Sequence, residues 1–293
     1  MGTALVQEQY LFGIDLDGTL LSPRGKVTDR TRAAIEAVVA AGHKVCFATG
    51  RNYTEAELVF EAVGHRDLVT LVSGAIVADA RTGEWLVRSA MHPSLAIELC
   101  TVIERMGFAA VAFEDRRATG VDYLVSEDRA IHESLNIWLE LSGQRVVRKP
   151  ALAKLDHQHT LRVSTVSTYE EADAIRRVIE KEFGDRIYVH GVRVVSDGAE
   201  ILEMFDPAVN KWQGLMWVAN KHGIPQERII AIGDDTNDLP MLKNAALGCA
   251  MGQARDEVKQ VANRVIGSNA VDGLAVFLEE WLAQQDKLGP ALV

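Results

Sequence analysis

Three apolar runs in this chain stop abruptly at polar, chemistry-bearing residues, and that repeated ending restricts the fold more than any other feature. Tyr10-Leu11-Phe12-Gly13-Ile14 runs into Asp15-Leu16-Asp17-Gly18-Thr19, and Lys44-Val45-Cys46-Phe47-Ala48 into Thr49-Gly50-Arg51. The run ending at Ile232 leads into Gly233-Asp234-Asp235-Thr236-Asn237-Asp238. Short runs of this kind read as strands buried on both faces, which belong to parallel sheets covered by helices. Between the first two, Thr28 is a candidate N-cap, Ile35, Val38 and Val39 share a helical face, and Gly42 stops the helix. A second helix carries Ala56, Val59, Phe60 and Val63 on one side and closes at Gly64, after which Leu68 to Val72 form a third strand. Strand, helix, strand, helix, strand predicts an α/β fold with a doubly wound, Rossmann-like parallel sheet, whose ligands sit at the carboxyl ends of strands.

The middle of the chain reads differently, because strands and helices continue but the acid-terminated strands vanish. Leu95, Leu99, Val102 and Met106 form one helical stripe and Ala172, Ile175, Ile179 and Phe183 another, closed by Gly107 and Gly184. Strands are expected at 109–113, 160–166 and 192–196. The βα pattern resumes with a helix from Lys211 to His222, a strand at 228–232, a short helix near Pro240 and a strand at 247–251. Residues 1–82 and 200–293 are therefore expected to form the core, and 83–199 an inserted α+β domain. Thr49 and Lys211 stand about 160 residues apart, too far for a loop and enough for a folded domain.

A formal net charge of −10 with no run of lysines or arginines argues against nucleic acid or an anionic membrane as a partner. An anionic ligand would need local help from a metal, a helix N-terminus or a few placed cations. Cys46, Cys100 and Cys249 are scattered and odd in number, without a CxxC pair, which predicts a reducing, cytoplasmic setting. Met1 to Tyr10 lacks a basic cluster followed by an apolar stretch, and no apolar run approaches the ~18 residues of a membrane span, so neither export nor anchoring is expected.

Each polar ending has a plain reading beside a functional one. Asp15 and Asp17, one residue apart at a strand end, are either an Asp-Gly turn or a carboxylate pair whose repulsion calls for a cation. Thr49-Gly50-Arg51 is either ordinary helix capping or an anion site of hydroxyl and free N–H groups. Lys211 alone is a surface lysine, and Asp234 to Asp238 alone an acidic capped loop.

Taken together and in this order, the four features resemble the motifs of the haloacid dehalogenase superfamily across nearly the whole chain. The resemblance implies that Asp15 is a nucleophile and Asp17 an acid/base, with Thr49 and Lys211 as phosphoryl-stabilising groups and Asp234 and Asp238 as metal-binding acids. An insert between the second and third motifs looks like the Cof-type group with a type IIB (C2B) cap. That implies a phosphatase acting on small phosphorylated metabolites, sugar phosphates or phosphorylated cofactors, through an aspartyl-phosphate. It further implies Mg²⁺ held by Asp15, Asp234, Asp238 and a backbone carbonyl near Asp17. Gly50, Arg51 and Asn237 would join Thr49 and Lys211 at the phosphate. A phosphomutase or phosphotransferase on the same scaffold is the alternative, and a non-catalytic metabolite-binding protein a weaker one. Ser73-Gly74-Ala75 departs from the Asn-Gly-Ala of many relatives, and Trp212 from a common glycine; packing with Leu215 and Met216 is the favoured reading for Trp212. His157 and His159, despite their spacing, lack a third ligand and read as a polar strand edge. Arg116, Arg117, Arg145 and Arg148 are possible anion contacts in the insert. Neither the substrate nor the oligomeric state follows from the sequence.

Overall fold

The computed structural model describes residues 8–141, 143–194 and 198–288. In chain order the strands are β1 (Leu11–Ile14), β2 (Lys44–Ala48), β3 (Leu68–Leu71), β4 (Ile76–Asp79), β5 (Trp85–Arg88), β6 (Val111–Glu114) and β7 (Tyr123–Ser126). They continue with β8 (Val146–Lys149), β9 (Thr160–Thr168), β10 (Tyr188–Val194), β11 (Ala199–Phe205), β12 (Ile229–Gly233), β13 (Leu247–Ala250) and β14 (Arg264–Val265). The helices are α1 (Asp29–Ala40), α2 (Tyr53–Val63), α3 (Pro93–Arg105), α4 (Arg116–Thr119) and α5 (Glu133–Leu141). After these come α6 (Tyr169–Phe183), α7 (Lys211–His222), α8 (Leu239–Asn244), α9 (Asp256–Val261) and α10 (Gly273–Leu288). The chain divides into two compact units, residues 1–88 with 210–293, and residues 89–209.

The first unit holds an eight-stranded sheet in the order β14-β13-β12-β1-β2-β3-β4-β5. Every pairing from β14 to β3 is parallel, and β4 and β5 add an antiparallel edge. At the centre, Ile14 of β1 lies opposite Ile232 of β12 and Phe47 of β2. One step further stand Asp15, Gly233 and Ala48, with Asp234 and Thr49 next in the chain, so this register gathers the three polar strand endings. Leu11, Phe12 and Ile14 are fully buried, as a strand covered on both faces requires. Local signals hold the helices in place. Thr28 caps α1 by accepting from Thr31 N–H, and Asn52 and Glu55 make a capping box at α2, which ends on left-handed Gly64. Asn210 caps α7 by accepting from Gln213 N–H, and left-handed Gly223 ends it.

The second unit is a six-stranded sheet in the order β10-β11-β9-β6-β7-β8, antiparallel apart from the β7–β8 pair. Leu99 and Ile103 of α3 and Ile175 and Ile179 of α6 pack on Val163, Leu202 and Met204 to form its core. Elsewhere on the sheet Arg162 pairs with Glu203 and lies over the rings of Phe113 and Phe205.

The division falls at 88/89 and 209/210, against expected limits at 82/83 and 199/200. Two hairpin strands account for the shift. β5 follows β4 across a short turn and stays with the first sheet, while β11 pairs with β9 and β10 and stays with the second. The strand expected at 192–196 begins earlier, at Tyr188; Val195 and Ser196 lie outside the described residues, as do Met1 to Gln7. Among the described residues no helix is long and apolar enough to cross a membrane.

Candidate active site

The carboxyl ends of β1, β2 and β12 and the first turn of α7 converge on Lys211. This lysine is 1% exposed, and its Nζ donates to Asp15 Oδ1 at 2.6 Å and to Asp238 Oδ1 at 2.7 Å. Burial alone would depress its ammonium, but the facing Asp15 and Asp238 carboxylates more than reverse that and hold it above the ordinary lysine value. Asp15 is buried too. Desolvation drives its carboxyl well above the usual aspartate range, Asp238 and Asp234 push in the same direction, and Lys211 opposes them.

Asp15, Asp234 and Asp238 each offer one oxygen, all within 4.8 Å of one another. Asp234 is pushed up to about 7 by burial and by the charges of Asp238 and Asp235. One lysine thus faces three clustered carboxylates, a charge deficit that a small divalent cation would correct. The donors are all hard oxygens, as Mg²⁺ prefers. The residues present therefore fit a bound Mg²⁺. Asp238 also ties the loop itself: its Oδ2 accepts from the N–H groups of Asp234 (2.9 Å) and Asp235 (3.1 Å).

The turn after Asp15 is shaped to bring Asp234 close. Gly18 has φ +80°, and a Cβ there would lie 2.1 Å from Asp234 Oδ2, so only glycine meets both demands. Gln253, which the sequence reading did not single out, donates through Nε2 to Gly18 O at 2.5 Å and to Asp234 Oδ2 at 3.4 Å. No motif marks it; it arrives from the loop after β13.

Asp17 stands apart from the acidic trio. Its carboxylate receives a two-pronged ion pair from Arg51, Nε at 2.8 Å and Nη2 at 2.5 Å, while Arg51 Nη1 donates to Glu55 O at 3.1 Å. Arg51, expected at the phosphate, is engaged in this ion pair with Asp17. Thr49 is fully buried, with its Oγ1 accepting from Arg51 N–H at 3.1 Å. Gly50 follows it, with Asn237 Nδ2 nearby. Trp212 is buried, in keeping with a packing role. In the second unit His157 sits in a left-handed turn (φ +53°) rather than a strand edge, engaging Leu152 O through Nε2 at 2.9 Å and Thr160 Oγ1 through Nδ1 at 2.8 Å. Arg116 pairs with Asp122 at 3.2 Å and Arg148 with Asn136 at 3.0 Å.

A model of the haloacid dehalogenase-like hydrolases matches residues 12–278. The chain belongs to this family. It is 29% identical over 277 residues to a 5-amino-6-(5-phospho-D-ribitylamino)uracil phosphatase of Bacillus subtilis, covering 94% of this chain and 98% of that protein. A solved sugar phosphatase of haloacid dehalogenase subclass IIB superposes with a TM-score of 0.75 at 22% identity, covering 93% of this chain and 98% of that one. A haloacid dehalogenase-like hydrolase from B. subtilis gives a TM-score of 0.75 at 22% identity, covering 92% and 99%. Membership of this hydrolase family, with relatives named as phosphatases, makes the chain an enzyme of the phosphatase class.

Proposed function

We propose that the chain is a Mg²⁺-dependent phosphatase that hydrolyses small phosphorylated metabolites, sugar phosphates or phosphorylated cofactor precursors, through an aspartyl-phosphate on Asp15. The observation that carries this reading is the buried arrangement of Asp15, Asp234 and Asp238 about Lys211. Asp15, Asp234 and Asp238 would hold Mg²⁺, which when bound neutralises the charge between a carboxylate nucleophile and an anionic ester.

Lys211 fixes Asp15 through Oδ1, so the nucleophile arrives oriented and its rotamer freedom is already spent. Asp15 attacks phosphorus, an Asp15 O–P bond forms, and the ester P–O bond breaks. Asp17 gives its proton to the departing alkoxide. To do so Asp17 must leave the Arg51 fork, whose two N–H groups engage both of its carboxylate oxygens. Asp17 then takes a proton from the water that attacks phosphorus, the Asp15 O–P bond breaks, and phosphate is released. Thr49, Gly50 and Lys211 supply donors to the other phosphoryl oxygens as charge builds on them.

The relative that acts on a phosphoribityl compound, matched along almost its whole length, supports a phosphorylated cofactor precursor as one substrate class. We assign residues 89–209, inserted between Thr49 and Lys211, the role of the cap. Cys46, Cys100 and Cys249 are buried free thiols, which supports a reducing, cytoplasmic setting. A panel of phosphorylated sugars, nucleotides and cofactors, assayed with Mg²⁺ and with EDTA, tests the function. Free phosphate should appear only with Mg²⁺ and disappear in Asp15→Asn. Recovery of a second phosphorylated product without free phosphate would instead establish a phosphotransferase.

A further inference from the structure

The loop that follows β13 closes one side of the acidic site. Met251 N–H donates to Gly233 O at 3.0 Å, which seats the loop beside the turn that carries Asp234. Gly252 N–H donates to Gly267 O at 3.2 Å, and a Cβ on Gly252 would lie 2.9 Å from Ser268 N. Glycine at 252 thus lets the loop run backbone to backbone against the segment between β14 and α10. Gln253 stands next in the chain, and its amide has one workable orientation. Oε1 accepts from Asn269 N–H at 3.1 Å, so Nε2 faces Gly18 O and Asp234 Oδ2. Asn269 N–H can only donate and Gly18 O can only accept, so a flipped amide would lose both bonds. Asn269 reaches the same turn through its own side chain, with Nδ2 donating to Leu21 O at 2.8 Å. The turn from Asp15 to Leu21 is therefore held from outside at Gly18 and at Leu21, and Gln253 ties it to Asp234 as well. A neutral amide does this without adding charge. Arg255, from the same loop, pairs with Asp235 at 3.2 Å rather than with the trio of Asp15, Asp234 and Asp238.

We propose that Gln253 is a positioning residue for the divalent cation: by holding Gly18 O and Asp234 Oδ2 in one fixed relation, with Asn269 behind it, it sets how tightly Mg²⁺ binds and how strongly Mg²⁺ is preferred over Ca²⁺. The role rests on the Mg²⁺-dependent reading of the site and adds a residue to it. Gln253 acts through the oxygens it holds, as groups that orient metal ligands do. Mg²⁺ demands near-ideal octahedral geometry from oxygens about 2.0–2.1 Å away, whereas Ca²⁺ accepts variable geometry at about 2.3–2.6 Å. Loosening Asp234 relative to the Asp15 turn therefore penalises the smaller ion more.

Calorimetric titration of the metal-free protein with Mg²⁺ and with Ca²⁺, without substrate, tests this in wild type, Gln253→Met and Asn269→Ala. The melting temperature of each protein in EDTA is recorded alongside. Methionine keeps the length of the side chain and removes its hydrogen bonds, and Gln253 is exposed, so the change leaves the core untouched. Gln253→Met should weaken Mg²⁺ about ten-fold and Ca²⁺ by no more than about three-fold. Asn269→Ala should shift the two ions in the same unequal way by a smaller factor, and it decides alone if Gln253→Met is unfolded in EDTA. Equal weakening of both ions, the result of a merely structural role, overturns the assignment, and so does unchanged Mg²⁺ affinity. Wild-type protein that binds no Mg²⁺ sinks the metal reading and the positioning role with it, whereas wild-type binding that the variants leave unaltered sinks the positioning role alone.

Discussion

Replacing Lys211 by methionine keeps the apolar stem and removes the charge from a residue that is 1% exposed and bonded to Asp15 and Asp238. What remains is three acids whose oxygens lie within 4.8 Å of one another. At an effective dielectric constant of about 20, two unit charges at that separation repel by about 3.5 kcal/mol. Removing one partner from a buried ion pair typically costs about 3–5 kcal/mol, the same scale. Urea unfolding in EDTA at pH 8 should therefore show Lys211→Met less stable than wild type by about 3–5 kcal/mol. The pH dependence follows from the raised carboxyls. Their folded pKa values lie above the unfolded value of about 3.9, so the stability they contribute is complete below that value and is lost as pH rises through the folded ones. Losing Lys211 raises them further, and the deficit of the variant should shrink as pH is lowered from 8 towards 4. A variant within about 1 kcal/mol of wild type at pH 8, or a deficit that ignores pH, refutes this reasoning.

Three further outcomes are expected. Because Asp234 sits at about 7, Mg²⁺ must displace a proton at lower pH, so the rise in melting temperature on adding Mg²⁺ should be larger at pH 8 than at pH 6; equal rises would count against Asp234 as a ligand. Gly18→Ala puts a methyl group onto Asp234 at a left-handed position and should abolish the Mg²⁺-induced rise and cost about 1–3 kcal/mol, read from urea midpoints. Burial lowers the pKa of His65, so its contribution to stability is present above the unfolded value of about 6.5 and is lost as pH falls through the folded one. His65→Gln should accordingly flatten the fall in stability between pH 7 and pH 5, and an unchanged slope would contradict the assignment.

The parallel core was legible because its strands are apolar on both faces and its helices carry their own punctuation, Thr28 and Gly64 among them. The edges were not. β4 and β5 are four-residue strands across a turn, too short for periodicity to separate from a loop, and in β11 Glu200 and Glu203 interrupt an otherwise apolar run. Asp15, Asp234, Asp238 and Lys211 could be named from sequence because each follows a strand or opens a helix, and the sheet register brings such positions together. Contacts made by side chains across loops lay beyond reach. The Arg51 fork on Asp17 joins residues 34 apart, and Gln253 reaches Gly18 across 235. The left-handed backbone of Ser73 has no local signature, since serine is not the residue that conformation favours.

The central claim is that Asp15 carries the phosphoryl group during turnover. Rapid acid quenching of the wild-type enzyme with Mg²⁺ and a substrate it hydrolyses, followed by peptide mass spectrometry, tests it directly. A phosphoryl adduct on Asp15 itself, labile to hydroxylamine, formed as fast as turnover and absent from Asp15→Asn, is the expected result. Full turnover with no adduct at any time, or an adduct on another residue, contradicts it.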